Sequence, residues 1–165
     1  MLSWLETTAL AQWVALSLWA YPMLLALHIT GLAVVVGVFF MRDLVLVGLV
    51  KGPEPVDFIL PVRLAFAGFL LNAVSGALLF VSQATVFAAS KAFQAKMLCI
   101  FLGLLLAWRL QRRLAGRATE LDKGAREQVT AAETAGGGTT QLLAGASLLC
   151  WVLAITAGRL IAYLG

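Results

Sequence analysis

Of 165 residues, 62% are hydrophobic and only 12% are charged, about half the charged share of an ordinary soluble domain. A chain one domain long cannot hide that much apolar surface in a water-soluble core, so a soluble globular fold is excluded and an all-α membrane domain is expected. The net charge of +4 does not point to nucleic acid, because the basic residues gather around one loop and the ends of apolar runs, which is a topology pattern.

Residues 3–20 mix Trp4, Leu5, Leu10, Trp13, Leu16 and Trp19 with Glu6, Thr7, Thr8 and Gln12. This pattern suits a helix lying in the membrane interface, with Trp4, Trp13, Trp19 and Tyr21 at headgroup level. The first dozen residues carry Glu6 and no Lys or Arg, so a cleaved signal peptide is not expected. Pro22 is placed to open the next helix in its first turn.

A first span is expected over 22–50, closed by the turn residues Lys51, Gly52, Pro53, Glu54 and Pro55. A second follows over 61–87 and a third over 91–114, joined closely enough to be antiparallel neighbours. The stretch 115–138 turns to Arg, Lys, Glu, Thr, Ala and Gly, ends in Gly136, Gly137 and Gly138, and reads as an exposed loop, helical at most in its first half. A last span covers 140–164. The result is one membrane domain over 1–165: a four-transmembrane-helix bundle with an N-terminal interfacial helix.

Arg42, Lys51, Arg63, Arg109, Arg112, Arg113, Arg117, Lys123 and Arg126 fall on the side of the first and third loops, and Lys91, Lys96 and Arg159 on the other. Nine against three is a strong positive-inside bias, which predicts both termini outside the cytoplasm; in a bacterium this is the periplasmic face of the inner membrane.

Alternating helix directions bring His28, Gln83, Lys96 and Arg159 to one level, in the periplasmic half. Ionisable groups at such depth are expensive and face the bundle interior or a wet cavity. His28, the sole histidine, has three readings: a hydrogen bond to a neighbouring helix, ligation of iron or copper through one ring nitrogen, or proton transfer. One histidine leaves a five-coordinate haem, a His/Met pair with Met23, Met41 or Met97, or a site shared between two chains. Lys96 and Arg159 suit an anion such as a haem propionate, with snorkelling of their long side chains as the alternative.

At the opposite end Arg42 and Asp43 are adjacent in sequence and point about 100° apart on a helix. Each is therefore expected to find its partner on another helix, with Arg63 the candidate for Asp43; the alternative is a proton-uptake site. Gly68, Asn72 and Gly76, with Ser75 beside them, form a narrow face for close helix approach or, alternatively, room for a flat cofactor. Gly37 and Gly48 are read as packing residues. Cys99 and Cys150 sit in apolar runs without metal-ligand spacing and read as buried thiols. No hydrolase triad, P-loop or dinucleotide fingerprint is present.

The string Ala26-Leu27-His28-Ile29-Thr30-Gly31-Leu32, with Gly37 and Asp43-Leu44-Val45-Leu46-Val47-Gly48 after it, resembles a bacterial family of short four-helix integral membrane proteins. So do Phe93-Gln94-Ala95-Lys96, Ser147-Leu148-Leu149-Cys150-Trp151 and Gly158-Arg159-Leu160. That family is similar, more distantly, to the copper-resistance D proteins and the HemJ-type protoporphyrinogen oxidases, which also place a histidine in an early helix and a lysine at the start of a later one. The resemblance implies His28 and Lys96 as leading site residues and a haem b or porphyrin as the bound group. The HemJ-like pattern has arginine-leucine where this chain has Asp43-Leu44, and the methionine-rich stretches of copper transport are missing.

The leading expectation is therefore a haem b-binding or porphyrin-handling membrane protein, redox active through a periplasmic-side site of His28, Lys96, Arg159 and Asn72, with His28 the iron ligand. The alternatives are a cofactor-free accessory subunit of a larger redox, photosynthetic or transport complex, and copper transport. The partners expected are the lipid bilayer and a second copy of the chain or a larger membrane complex.

Overall fold

Hydrocarbon offers no hydrogen bonds, so each spanning segment has to bond its own backbone, and an apolar run of 20 or so residues becomes a helix. The computed structural model describes residues 2–51, 59–122 and 126–164, with side chains described over 2–51, 61–116 and 137–161. Among them lie α1 (Ser3–Glu6), α2 (Ala9–Leu16), α3 (Ala20–Val47), α4 (Ile59–Ser82), α5 (Ala84–Ala89), α6 (Lys91–Asp122) and α7 (Arg126–Leu164). Four segments, Ala20–Val47, Pro61–Ser82, Lys91–Gly116 and Gly137–Ile161, are long and apolar enough to cross a membrane. The protein is an all-α, multi-pass membrane protein built as a four-helix bundle.

Within the bundle α3 packs along α4, α6 along α7, and α3 against α7, so the helices run in the order α4, α3, α7, α6; α2 lies against α4 and α3. The buried core, Val35, Phe39, Ala65, Ala107 and Trp151, is small because lipid-facing side chains need no burial. Phe66, Leu70 and Val74 on α4 and Leu98, Phe101 and Trp108 on α6 are accordingly exposed.

Several boundaries differ from the sequence expectation, each for a local reason. The interfacial helix expected over 3–20 is split into α1 and α2 because Thr7 and Thr8 turn their hydroxyls onto the carbonyls of Trp4 and Leu5, at 2.8 and 2.7 Å. Thr8 then caps α2 by accepting from the Ala11 N–H. The chain is extended at Ser17, and its hydroxyl accepts from the Ala20 N–H at 3.2 Å. Helix α3 therefore starts at Ala20 and keeps Pro22 in its first turn, where no N–H is missed.

The first span stops at Val47, short of 50, because Gly48 takes the left-handed conformation at φ 85°. Leu49 N–H bonds to Leu44 O and Gly48 N–H to Val45 O, both at 3.0 Å, the Schellman pattern of a helix C-terminus. Gly48 is thus a cap, and Gly37 is exposed with nothing within 4 Å of where its Cβ would be; neither is the packing residue expected. The second span ends at Ser82, and 84–89 form a separate helix. The turn residues Gly52, Pro53, Glu54 and Pro55 lie outside the described residues. The loop expected over 115–138 is largely helix, α6 running on to Asp122 and α7 starting at Arg126 and passing through Gly136, Gly137 and Gly138. Each glycine costs a helix about 1 kcal/mol relative to alanine, which weakens a long helix without ending it.

Candidate functional site

Small residues decide where polar groups meet. A Cβ on Gly31 would lie 2.7 Å from the backbone N of Asn72 and 2.7 Å from the backbone O of Gly68, and one on Gly68 would lie 2.8 Å from Val34. Helices α3 and α4 are therefore in backbone contact, and Gly31, rather than Gly37, is the α3 partner of the Gly68, Asn72 and Gly76 face. That face is filled by α3, which leaves no slot there for a flat cofactor.

The same approach sets His28. Asn72 Nδ2 donates to the backbone O of His28 at 2.7 Å, and His28 Nδ1 lies 2.9 Å from the backbone O of Asn72. A carbonyl oxygen only accepts, so Nδ1 carries the proton and Nε2 the lone pair. Ser75, whose hydroxyl donates to Leu71 O at 2.6 Å, stands 3.4 Å from Nδ1. The ring lies over Gly76, where a Cβ would come within 2.7 Å of Cε1. Among the described residues Nε2 has no hydrogen-bond partner.

Lys96, half-buried on α6, passes over Gly158 of α7, its Nζ 3.6 Å from where a glycine Cβ would sit. Its ammonium is within electrostatic reach of the His28 ring. One turn outward on each helix, Phe80, Phe87 and Phe93 stack on one another with ring centroids 5.4 to 6.5 Å apart. This aromatic cluster spans α4, α5 and α6 at the same end of the bundle.

His28, Asn72 and Lys96 are thus gathered at one end. Asn72 serves as a clamp, its amide spent on the His28 backbone. Arg159 is exposed, as is Gln83 at the junction of α4 and α5. Met23, Met41 and Met97, considered as second axial ligands, are exposed as well. In the sequence, Gly31 and Gly158 stand only within the motifs of the resemblance, with no packing role read for them; what marks both is a glycine inside an apolar span at the level of a polar residue on the neighbouring helix.

At the other end Arg42 and Asp43 pair with each other and not with Arg63, which is exposed. Arg42 Nε and NH2 both donate to Asp43 Oδ1, at 2.9 and 2.6 Å, and both side chains are fully buried. The long arginine chain bridges the angle between neighbouring positions by folding over the Phe39 ring, 5.0 Å from its centroid. NH1 reaches the Ala107 carbonyl of α6 at 3.2 Å. Cys99 and Cys150 are free and half-buried, closer to the surface than expected.

Among the described residues no cluster of three or more His, Cys, Asp or Glu is poised to hold a metal ion. Compared with protein-family models, curated proteins and solved structures, the chain matches none. Fold and site together define a multi-pass membrane protein with an imidazole and an ammonium set inside one end of its bundle.

Proposed function

We propose that this protein binds haem b or a porphyrin at the His28 end, with His28 as the iron ligand and Lys96 as the partner of a carboxylate. One observation carries the reading: Nδ1–H is committed to the Asn72 carbonyl at 2.9 Å, which leaves Nε2 as a fixed lone pair inside the membrane. That is how protein frames orient a ligating imidazole. The donor set fits such a group, since a porphyrin supplies the iron's equatorial nitrogens and needs one axial ligand, apolar walls and a cation for its carboxylates. When bound, haem would supply one-electron chemistry; the chain's own residues orient the imidazole and neutralise a propionate. The nine-to-three distribution of basic residues supports a periplasmic position for this end, in the inner membrane of a bacterium.

Protein purified from cells supplied with haem is expected to show a Soret band that is lost in His28→Ala and shifted or weakened in Lys96→Gln. No Soret absorption in the wild type, or an unchanged spectrum in His28→Ala, overturns the proposal. A second reading, an accessory subunit without a cofactor, draws on the exposed Trp4, Trp13 and Trp19 of the N-terminal segment. It predicts co-purification with a larger complex in mild detergent, and a protein that always migrates alone counts against it.

A further inference from the structure

Toward its end, α6 carries positive charge on a face turned away from the bundle. Ala107, Leu110 and Leu114 are buried, and on the opposite side of the same two turns Trp108, Arg109, Arg112 and Arg113 are exposed. At ~100° per residue these four fall within an arc of roughly 140°. No Asp or Glu occurs between Lys91 and Thr119, and among the described residues none of the three arginines has a hydrogen bond or an ion pair. Arg112 has an aromatic partner instead. Its Cζ stands 4.0 Å from the centroid of the Trp108 ring, one turn back, where i, i+4 side chains meet on a helix. The stack steadies one guanidinium on the helix surface and leaves its N–H groups unspent.

We propose that this face binds an anionic phospholipid, with its phosphate held by Arg109, Arg112 and Arg113 and an acyl chain laid along the helix toward the membrane centre. Charge alone would admit any anion; the apolar residues in line with the arginines select a lipid. Leu98, Phe101, Leu105 and Trp108 are exposed, and their spacing of three and four residues places them in one stripe that runs on to Arg112. From Leu98 to Arg112 is ~21 Å at 1.5 Å per residue, about the thickness of one leaflet with its headgroups, and all of it lies in the span Lys91–Gly116. A lipid meets this stripe over its whole length, whereas a free phosphate would meet only the last turns. Guanidinium groups match phosphate oxygens two at a time, and tryptophan sits at headgroup level. A zwitterionic lipid would bring its own cation against three others.

The test is a titration of the purified full chain in detergent with dioleoylphosphatidylglycerol or dioleoylphosphatidylcholine, with bound lipid counted by native mass spectrometry. Phosphatidylglycerol is expected to bind at least about tenfold more tightly, to lose about fivefold in Arg112→Gln, and to lose the whole preference when Arg109, Arg112 and Arg113 are all changed to Gln. Lys91→Gln, which removes an exposed cation from the other end of α6, is expected to leave the preference unchanged. Trp108→Leu keeps every charge but removes the stack, and is expected to weaken phosphatidylglycerol binding about two- to fivefold. Equal binding of the two lipids, a preference that survives the triple change, or an unchanged affinity in Trp108→Leu overturns the proposal. So does displacement of the lipid by an equal concentration of inorganic phosphate, which would assign the site to a soluble anion.

Discussion

Arg42 and Asp43 show how a side chain's length can override the direction of its Cα–Cβ bond. Both are fully buried, and each charge is tolerated there only because the other is within hydrogen-bonding distance. Removing one partner of a buried pair leaves an uncompensated charge and costs about 3–5 kcal/mol. Asp43→Asn is therefore expected to lower the thermal stability of the detergent-solubilised protein strongly. Arg63→Ala, at an exposed position outside the pair, is expected to change it little. If the two variants melt alike, the pairing is wrong.

Among the elements, α1 is tied down by one residue. Glu6 Oε1 accepts from the Thr85 N–H at 2.7 Å and from the Thr85 hydroxyl at 2.6 Å, which joins α1 to the first turn of α5. Those bonds, the hydroxyl's first and the backbone's second, favour the carboxylate and hold Glu6 below the usual glutamate range. With its folded value depressed, the tether is fully formed above the pKa of a free glutamate and is lost as pH falls through the lowered folded value. Protection from hydrogen exchange over residues 3–16, taken relative to the intrinsic rate at each pH, is expected to fall on acidification through that range in the wild type. In Glu6→Gln the protection should be low and independent of pH; an equal pH response of protection in both proteins would rule the tether out.

Across the whole molecule, α3 carries both polar centres. His28 and Asp43 lie 15 residues apart on it, ~22 Å at 1.5 Å per residue, and Val35, Phe39 and Trp151 form the apolar core between them. The two ends are held in place by close helix contact, because lipid supplies no hydrophobic drive to press helices together. Gly31→Ala, which would push a Cβ into the backbone of α4 at 2.7 Å, is expected to destabilise the bundle by about 1–3 kcal/mol. Gly37→Ala meets nothing and is expected to be neutral or stabilising by up to about 1 kcal/mol. Thermal unfolding of the two variants side by side checks the contrast, and similar losses in both would remove the argument for α3–α4 backbone contact.

The number of spans, their approximate limits and the end of the bundle that holds His28 and Lys96 were readable in the amino-acid order, because a helix in hydrocarbon bonds its own backbone and needs only an apolar run of sufficient length. The small-residue face at Gly68, Asn72 and Gly76 was readable too, since every-fourth-residue spacing marks one side of a helix. Which helix filled that face, that Arg42 turned to its own neighbour, and that Gly48 capped α3 while Gly31 packed against α4 were decided by the tertiary structure. Each depends on the rotation and distance between helices. A bilayer does not impose these through the burial of apolar side chains, so the periodicity of the sequence carries little trace of them.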